Sequence, residues 1–158
     1  MDLGLAGKVA IITGGSGGIG RGLVLEFARE GIHVVSASRD VKTGNKIAAE
    51  AKRQGLSGTV LPIATDITKR QSVDAMVAQC RDQLGPVDVL VNNAGGVAHP
   101  AAFEELDDEA RRWEIALNVD GVVNCCQAVS EDMLGRNTGS IINISSNSSL
   151  LGEAAMNV

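Results

Sequence analysis

Directly after the apolar run Val9-Ala10-Ile11-Ile12, the chain reads Thr13-Gly14-Gly15-Ser16-Gly17-Gly18-Ile19-Gly20. Glycines this dense let a backbone turn tightly and approach a pyrophosphate with no Cβ in the way. They also let the N–H groups of a following helix aim at the anion. The pattern alone is weak; a buried strand before it and a helix after it make it a dinucleotide site rather than a flexible turn. Five more stretches carry side chains that can hold a cofactor or a reacting oxygen. They are Ser36-Ala37-Ser38-Arg39-Asp40, Asp66-Ile67, Asn92-Asn93-Ala94-Gly95, Asn118 within Leu117-Asn118-Val119-Asp120-Gly121, and Ser145-Ser146. Each also has a plain reading: Asp66 as a turn or capping residue, Asn92 and Asn93 as turn formers, Asn118 as a backbone-bonding residue at a helix junction, the serines as loop polars.

These stretches need elements to position them. Val9–Ile12, Ile32–Val35, Thr59–Ala64, Val87–Val91 and Ser140–Ile144 are short, apolar and β-branched, which predicts buried strands. Pro62 puts the third near an edge or bends it. Helices are expected over 18–30, 43–54, 68–84, 107–118 and 119–133. Gly31 and Gly55 stop the first two, Thr68-x-x-Gln71 opens the third as a capping box, and Asp107 caps the fourth. Strands alternating with helices of this length mean a parallel sheet covered on both faces. Ligands of such sheets lie beyond the carboxyl ends of the strands, where every stretch named above falls.

Five motifs in this order resemble the short-chain dehydrogenase/reductase family in its classical branch, and the resemblance runs over essentially the whole chain, with members of the 3-oxoacyl-carrier-protein reductase type among the nearest in pattern. It implies one doubly wound, Rossmann-like α/β domain over residues 1–158, in three α/β/α layers, whose sheet in the family continues past the fifth strand. It also implies hydride transfer between a nicotinamide and a carbonyl or secondary alcohol. By resemblance, Thr13, Gly14, Ser16, Gly18, Ile19 and Gly20 cradle the cofactor, and Asp66 and Ile67 meet the adenine. Asn92, Ala94 and Gly95 line the cleft. Asn118 and Ser146 are the catalytic asparagine and serine.

Ser38 stands where an NAD site usually has an acid for the ribose 2′-hydroxyl, and Arg39 follows it. A guanidinium grips a 2′-phosphate with paired charge-assisted bonds, so NADP(H) is favoured over NAD(H). Asp40 next door either caps the following helix or enters the pocket.

The family's proton donor is a tyrosine with a lysine four residues on. Tyrosine is absent from the 158 residues, and no lysine follows Lys69. The family's tyrosine stands about a dozen residues after the serine, which from Ser146 falls at or just past Val158. The expectation is therefore an N-terminal part of a reductase, inactive alone, with an uncovered sheet edge and poor solubility. His99 is ordinarily solvated as a lone loop histidine, and His33 is structural.

Composition excludes other classes. A net charge of -5 gives no electrostatic grip on nucleic acid, and no apolar run is long enough for a membrane span. Three cysteines, Cys80, Cys125 and Cys126, form no disulfide framework and no metal spacing; reduced thiols in a cytoplasmic protein are the simplest reading. The resemblance implies a homo-oligomer, dimer or tetramer, acting on a small molecule. The competing function is a non-catalytic dinucleotide-binding or interaction module. A methyltransferase on a related nucleotide fold is a third reading, which the asparagine and serine motifs oppose.

Overall fold

The computed structural model describes residues 3–99 and 102–146. Five strands, β1 (Val9–Thr13), β2 (His33–Ser38), β3 (Val60–Ala64), β4 (Val89–Asn92) and β5 (Ser140–Asn143), form one parallel sheet in the order β3-β2-β1-β4-β5. The chain winds outward from β1 to β3, then crosses back to β4. The switch point between β1 and β4 is where such a sheet opens a crevice.

Both faces are covered at β1, β2 and β4, as their near-continuous apolar runs require, whereas all four residues of β5 are exposed. Val9 and Ile11 of β1 pack with Val73, Met76, Val77 and Cys80 of α3 (Arg70–Gln83) and with Cys125, Val129 and Met133 of α5 (Gly121–Gly135). Ala10 and Ile12 point the other way. They meet Val24 and Leu25 of α1 (Gly18–Arg29) and Ile47 and Ala51 of α2 (Val41–Arg53). The alternation is the period of two of a strand; the helix residues recur at three and four. Each large aliphatic side chain fully buried here contributes about 1.5–3 kcal/mol.

Helix boundaries follow local chemistry. Gly31 and Gly55 adopt positive φ just past α1 and α2, as expected. Asp107 caps α4 (Asp108–Ile115) through the Ala110 N–H, at 2.7 Å. The two helices expected over 107–133 are one continuous run: a π-turn over Ala116–Asp120 joins α4 to α5. The capping box at Thr68 does not form. Thr68 turns both its N–H and its hydroxyl to Asp66, and α3 starts later, after Lys69, with no side-chain cap. The Thr68 hydroxyl donates to the carboxylate two residues back, and α3 begins beyond its reach as a cap.

At the opposite end of the sheet, Asp88 accepts the Val9 N–H at 3.0 Å and pairs with Arg136 at 3.2 Å, tying β1, β4 and the end of α5 together. β3 is an edge strand among the described residues, as Pro62 led one to expect. The Thr59 carbonyl and the Thr65 N–H both face β2. By the strand period Pro62 therefore presents its missing N–H to the outside.

Candidate functional site

At the carboxyl ends of the strands lies a cleft of about 530 Å³. Its floor is the turn after β1. Thr13 Oγ1 accepts the N–H groups of Asn93 and Ala94, both at 3.0 Å, and Asn93 Nδ2 donates to the Thr13 carbonyl at 2.9 Å. These bonds lock the β1 turn to the β4 loop. Gly14 has φ +66° and lies so close to Ala94 that a Cβ would sit 3.0 Å from its Cα. A Cβ on Gly20 would lie 2.3 Å from the Gly14 carbonyl oxygen. The two glycines thus bring the start of α1 against the turn. Gly17 supplies no side-chain cap, so the first-turn N–H groups of α1 keep their donors for an anion. Ser16 lines the cleft, whereas Ile19 points to solvent.

One end of the cleft is set by β2 and β3. Ser38 is largely buried and its hydroxyl donates to the Asp40 carbonyl at 3.1 Å. Asp40 caps α2 by accepting the Thr43 N–H at 3.1 Å and the Thr43 hydroxyl at 2.5 Å, and it lines the cleft as well. The Thr43 hydroxyl, then its N–H, hold the Asp40 carboxyl below the usual carboxylate range. Arg39 lines the same end, and among the described residues no carboxylate pairs with it. Asp66 is held by Thr68, with bonds of 3.0 and 2.7 Å, and its own N–H donates to Ser72 Oγ. Ile67 sits against Gly121, whose missing Cβ leaves the space that Ile67 fills. Its carbonyl accepts from Asn124 at 2.9 Å.

The other end is set by β4, β5 and the π-turn. Ala94 and Gly95 line the cleft. Asn118 exchanges two hydrogen bonds with Gly96. Asn92 is buried beneath the rim instead. It donates to Asn143 Oδ1 at 2.9 Å and to Cys126 Sγ at 3.3 Å, and so bridges β4, β5 and α5. Ser145 and Ser146 follow β5, and the Ile144 N–H donates to the Asn92 carbonyl, so both serines leave the sheet on the same rim as Ala94 and Gly95.

The structure brings Gly14, Ser16, Ser38, Arg39, Asp66, Ile67, Ala94 and Gly95 to one cleft wall or another. Thr13, Gly20, Asn92 and Asn118 support that wall from behind or at its ends, whereas Gly18 and Ile19, expected at the cofactor, are exposed at the start of α1 and do not line the cleft. Sequence reasoning passed over Trp113 and Lys69, which also line the cleft. Lys69 follows the Asp66 motif directly, a signal in reach; Trp113 depends on how α4 crosses the sheet. His33 Nδ1 accepts the Thr59 N–H at 3.2 Å, a structural role, and His99 is exposed. Burial pushes the Cys80 and Cys125 thiols up to about 12. Among the described residues no cluster of His, Cys, Asp and Glu could hold a metal, and no helix is long and apolar enough to cross a membrane.

Residues 8–158 match the family model described as short chain dehydrogenase. The chain is 31% identical, over 97% of its length, to 2,3-dihydro-2,3-dihydroxybenzoate dehydrogenase of Bacillus subtilis, and 36% identical, over 90%, to 3-oxoacyl-[acyl-carrier-protein] reductase of Thermotoga maritima. A crystal structure of NAD+-bound xylitol dehydrogenase superimposes with a TM-score of 0.90 at 27% identity over 96% of this chain. The chain spans 58%, 56% and 58% of these three proteins respectively.

Proposed function

The chain belongs to the short-chain dehydrogenase family, and from that premise we propose that its cleft binds a nicotinamide dinucleotide, NADP(H) in preference to NAD(H). The protein to which this cleft belongs then acts as an oxidoreductase between a small-molecule carbonyl and a secondary alcohol. The observation that carries the reading is the contact between Gly20 and Gly14, which no residue with a Cβ could make. It leaves bare backbone facing the first-turn amides of α1, the cradle a pyrophosphate needs. The relative bound to NAD+ supports a nicotinamide cofactor in the same fold.

The preference for a 2′-phosphate rests on three neighbours. Ser38 offers no negative charge, the Asp40 carboxylate is committed to Thr43, and Arg39 has no carboxylate partner among the described residues. A phosphate there meets an unopposed guanidinium. Bound, the nicotinamide supplies or accepts a hydride. Ser146 donates a hydrogen bond to the substrate oxygen. Asn118 keeps one lone pair of Oδ1 and one hydrogen of Nδ2 beyond its bonds to Gly96, enough to hold a water in a proton relay.

The 158 residues contain no tyrosine, so the phenol that the family uses as proton donor is not among them. We therefore expect this chain to bind cofactor without turnover. Exposed Val119 and Val123 support a homo-oligomer, dimer or tetramer, and three free thiols support a reducing cytoplasm.

Titration of the chain with NADPH and NADH, followed by nicotinamide fluorescence, tests the reading. NADPH is expected to bind about tenfold or more tighter, and Ser38→Asp to reverse the order by repelling the 2′-phosphate. Binding of neither would overturn the reading. Equal affinities, unmoved by Ser38→Asp, would overturn the NADP(H) preference alone.

A further inference from the structure

Glu114 in α4 is 1% exposed. Its Oε1 accepts the Ala98 N–H at 2.8 Å, while its Oε2 is buried with no hydrogen-bond partner. A carboxylate in such a place is costly, and an aliphatic side chain would fill the space at lower free energy. Filling space is therefore not what this side chain does best. Four residues further on, Asn118 holds Gly96, two residues before Ala98. Two side chains one helical turn apart thus grip one short loop at two points. That loop continues from Gly95, which lines the cleft and whose missing Cβ leaves room for Asn118 Oδ1. Trp113, adjacent to Glu114, faces the cleft itself.

We propose that Glu114 is a positioning residue. By holding the Ala98 amide it fixes, together with Asn118, the course of the Gly95–His99 loop, whose first residue lines the β4–β5 end of the cleft. This rests on the cofactor reading above. The strand order puts Arg39 and Asp66 at the β2–β3 end, so the two ends of a bound dinucleotide meet different walls. Loosening this loop, and with it Gly95, affects the nicotinamide half and leaves the adenosine half alone.

The test uses the whole chain and two probes, NADPH and adenosine 2′,5′-bisphosphate. Glu114→Leu fills the volume without an acceptor. It is expected to weaken NADPH about tenfold, to change the bisphosphate by less than about twofold, and to speed hydrogen exchange at the Ala98 amide. Glu114→Gln keeps an acceptor for that amide and is expected to restore NADPH binding to within about threefold. If Glu114→Leu does not fold, Ala98→Pro deletes the donated N–H at an exposed position and is expected to give the same separation of probes. Equal weakening of both probes would show a merely structural residue and overturn the proposal, as would unchanged NADPH binding. If the unaltered chain binds neither probe, the cofactor reading falls and this proposal with it. If it binds both and only the separation fails, the cofactor reading stands alone.

Discussion

Asn118 and Gly96 form a closed pair: the Gly96 N–H donates to Asn118 Oδ1 at 2.9 Å, and Asn118 Nδ2 donates to the Gly96 carbonyl at 2.8 Å. A side-chain amide here stands in for a strand partner and satisfies both backbone groups of one loop residue. Asn118→Ala removes both bonds at a partly exposed position, so a loss of about 1–2 kcal/mol is expected in urea unfolding. Asn118→Asp retains the acceptor but faces the Gly96 carbonyl with a carboxylate. It should be no more stable than the alanine variant. Wild-type stability in either variant would show that the pair contributes nothing.

Two glycines two residues apart in α1 should respond oppositely to the same substitution. At Gly20 a Cβ would lie 2.3 Å from the Gly14 carbonyl oxygen, a backbone atom that cannot step aside. Gly20→Ala is expected to destabilise by about 2 kcal/mol or more and to weaken cofactor binding. At Gly22 a Cβ meets nothing within 4 Å. Gly22→Ala is expected to stabilise by about 0.5–1 kcal/mol, through helix propensity alone. Thermal melts of the two variants decide it; matching signs would sink the argument.

The buried thiols make stability depend on pH at the alkaline end. Cys80 and Cys125 keep their protons in the folded chain up to about 12, whereas an ordinary thiol releases one near 9.0. Folded values above unfolded ones mean that the contribution is complete below pH 9 and is lost as pH climbs toward 12. The urea midpoint should fall across that window, and fall less in Cys80→Ala and Cys125→Ala after correction for their lower starting stability. At neutral pH a thiol reagent should label no more than Cys126 in the folded chain, and all three cysteines once it is unfolded.

Much of this architecture is legible in the residues. Short apolar, β-branched runs gave the strands, Gly31 and Gly55 the ends of α1 and α2, and Asp107 the start of α4. The cleft walls at Gly14, Ser38, Arg39, Asp66 and Ala94 follow from where those strands end. Three things were not legible, each for a physical reason. Thr68 looked like a helix cap because its spacing from Gln71 fits one, yet its N–H and hydroxyl both donate to Asp66 and α3 starts two residues later. The π-turn at Ala116–Asp120 joins into one run what the residues suggested were two helices meeting at Asn118, and no residue type marks such a turn. Glu114 reads as a solvated charge on a helix rich in charges; only the tertiary approach of Ala98 reveals that it is buried.

The placement of Pro62 reaches beyond the cleft. On the outer margin of β3 the proline deletes the central outward donor, leaving those of Val60 and Ala64 four residues apart. A stray strand arriving there finds its ladder interrupted in the middle, a natural guard against templated fibril growth. Among the described residues the opposite margin is β5, which contains no proline, and its Ile141 and Ile142 are each more than two-fifths exposed. Of the two described margins, β3 is thus the poorer template for a stray strand.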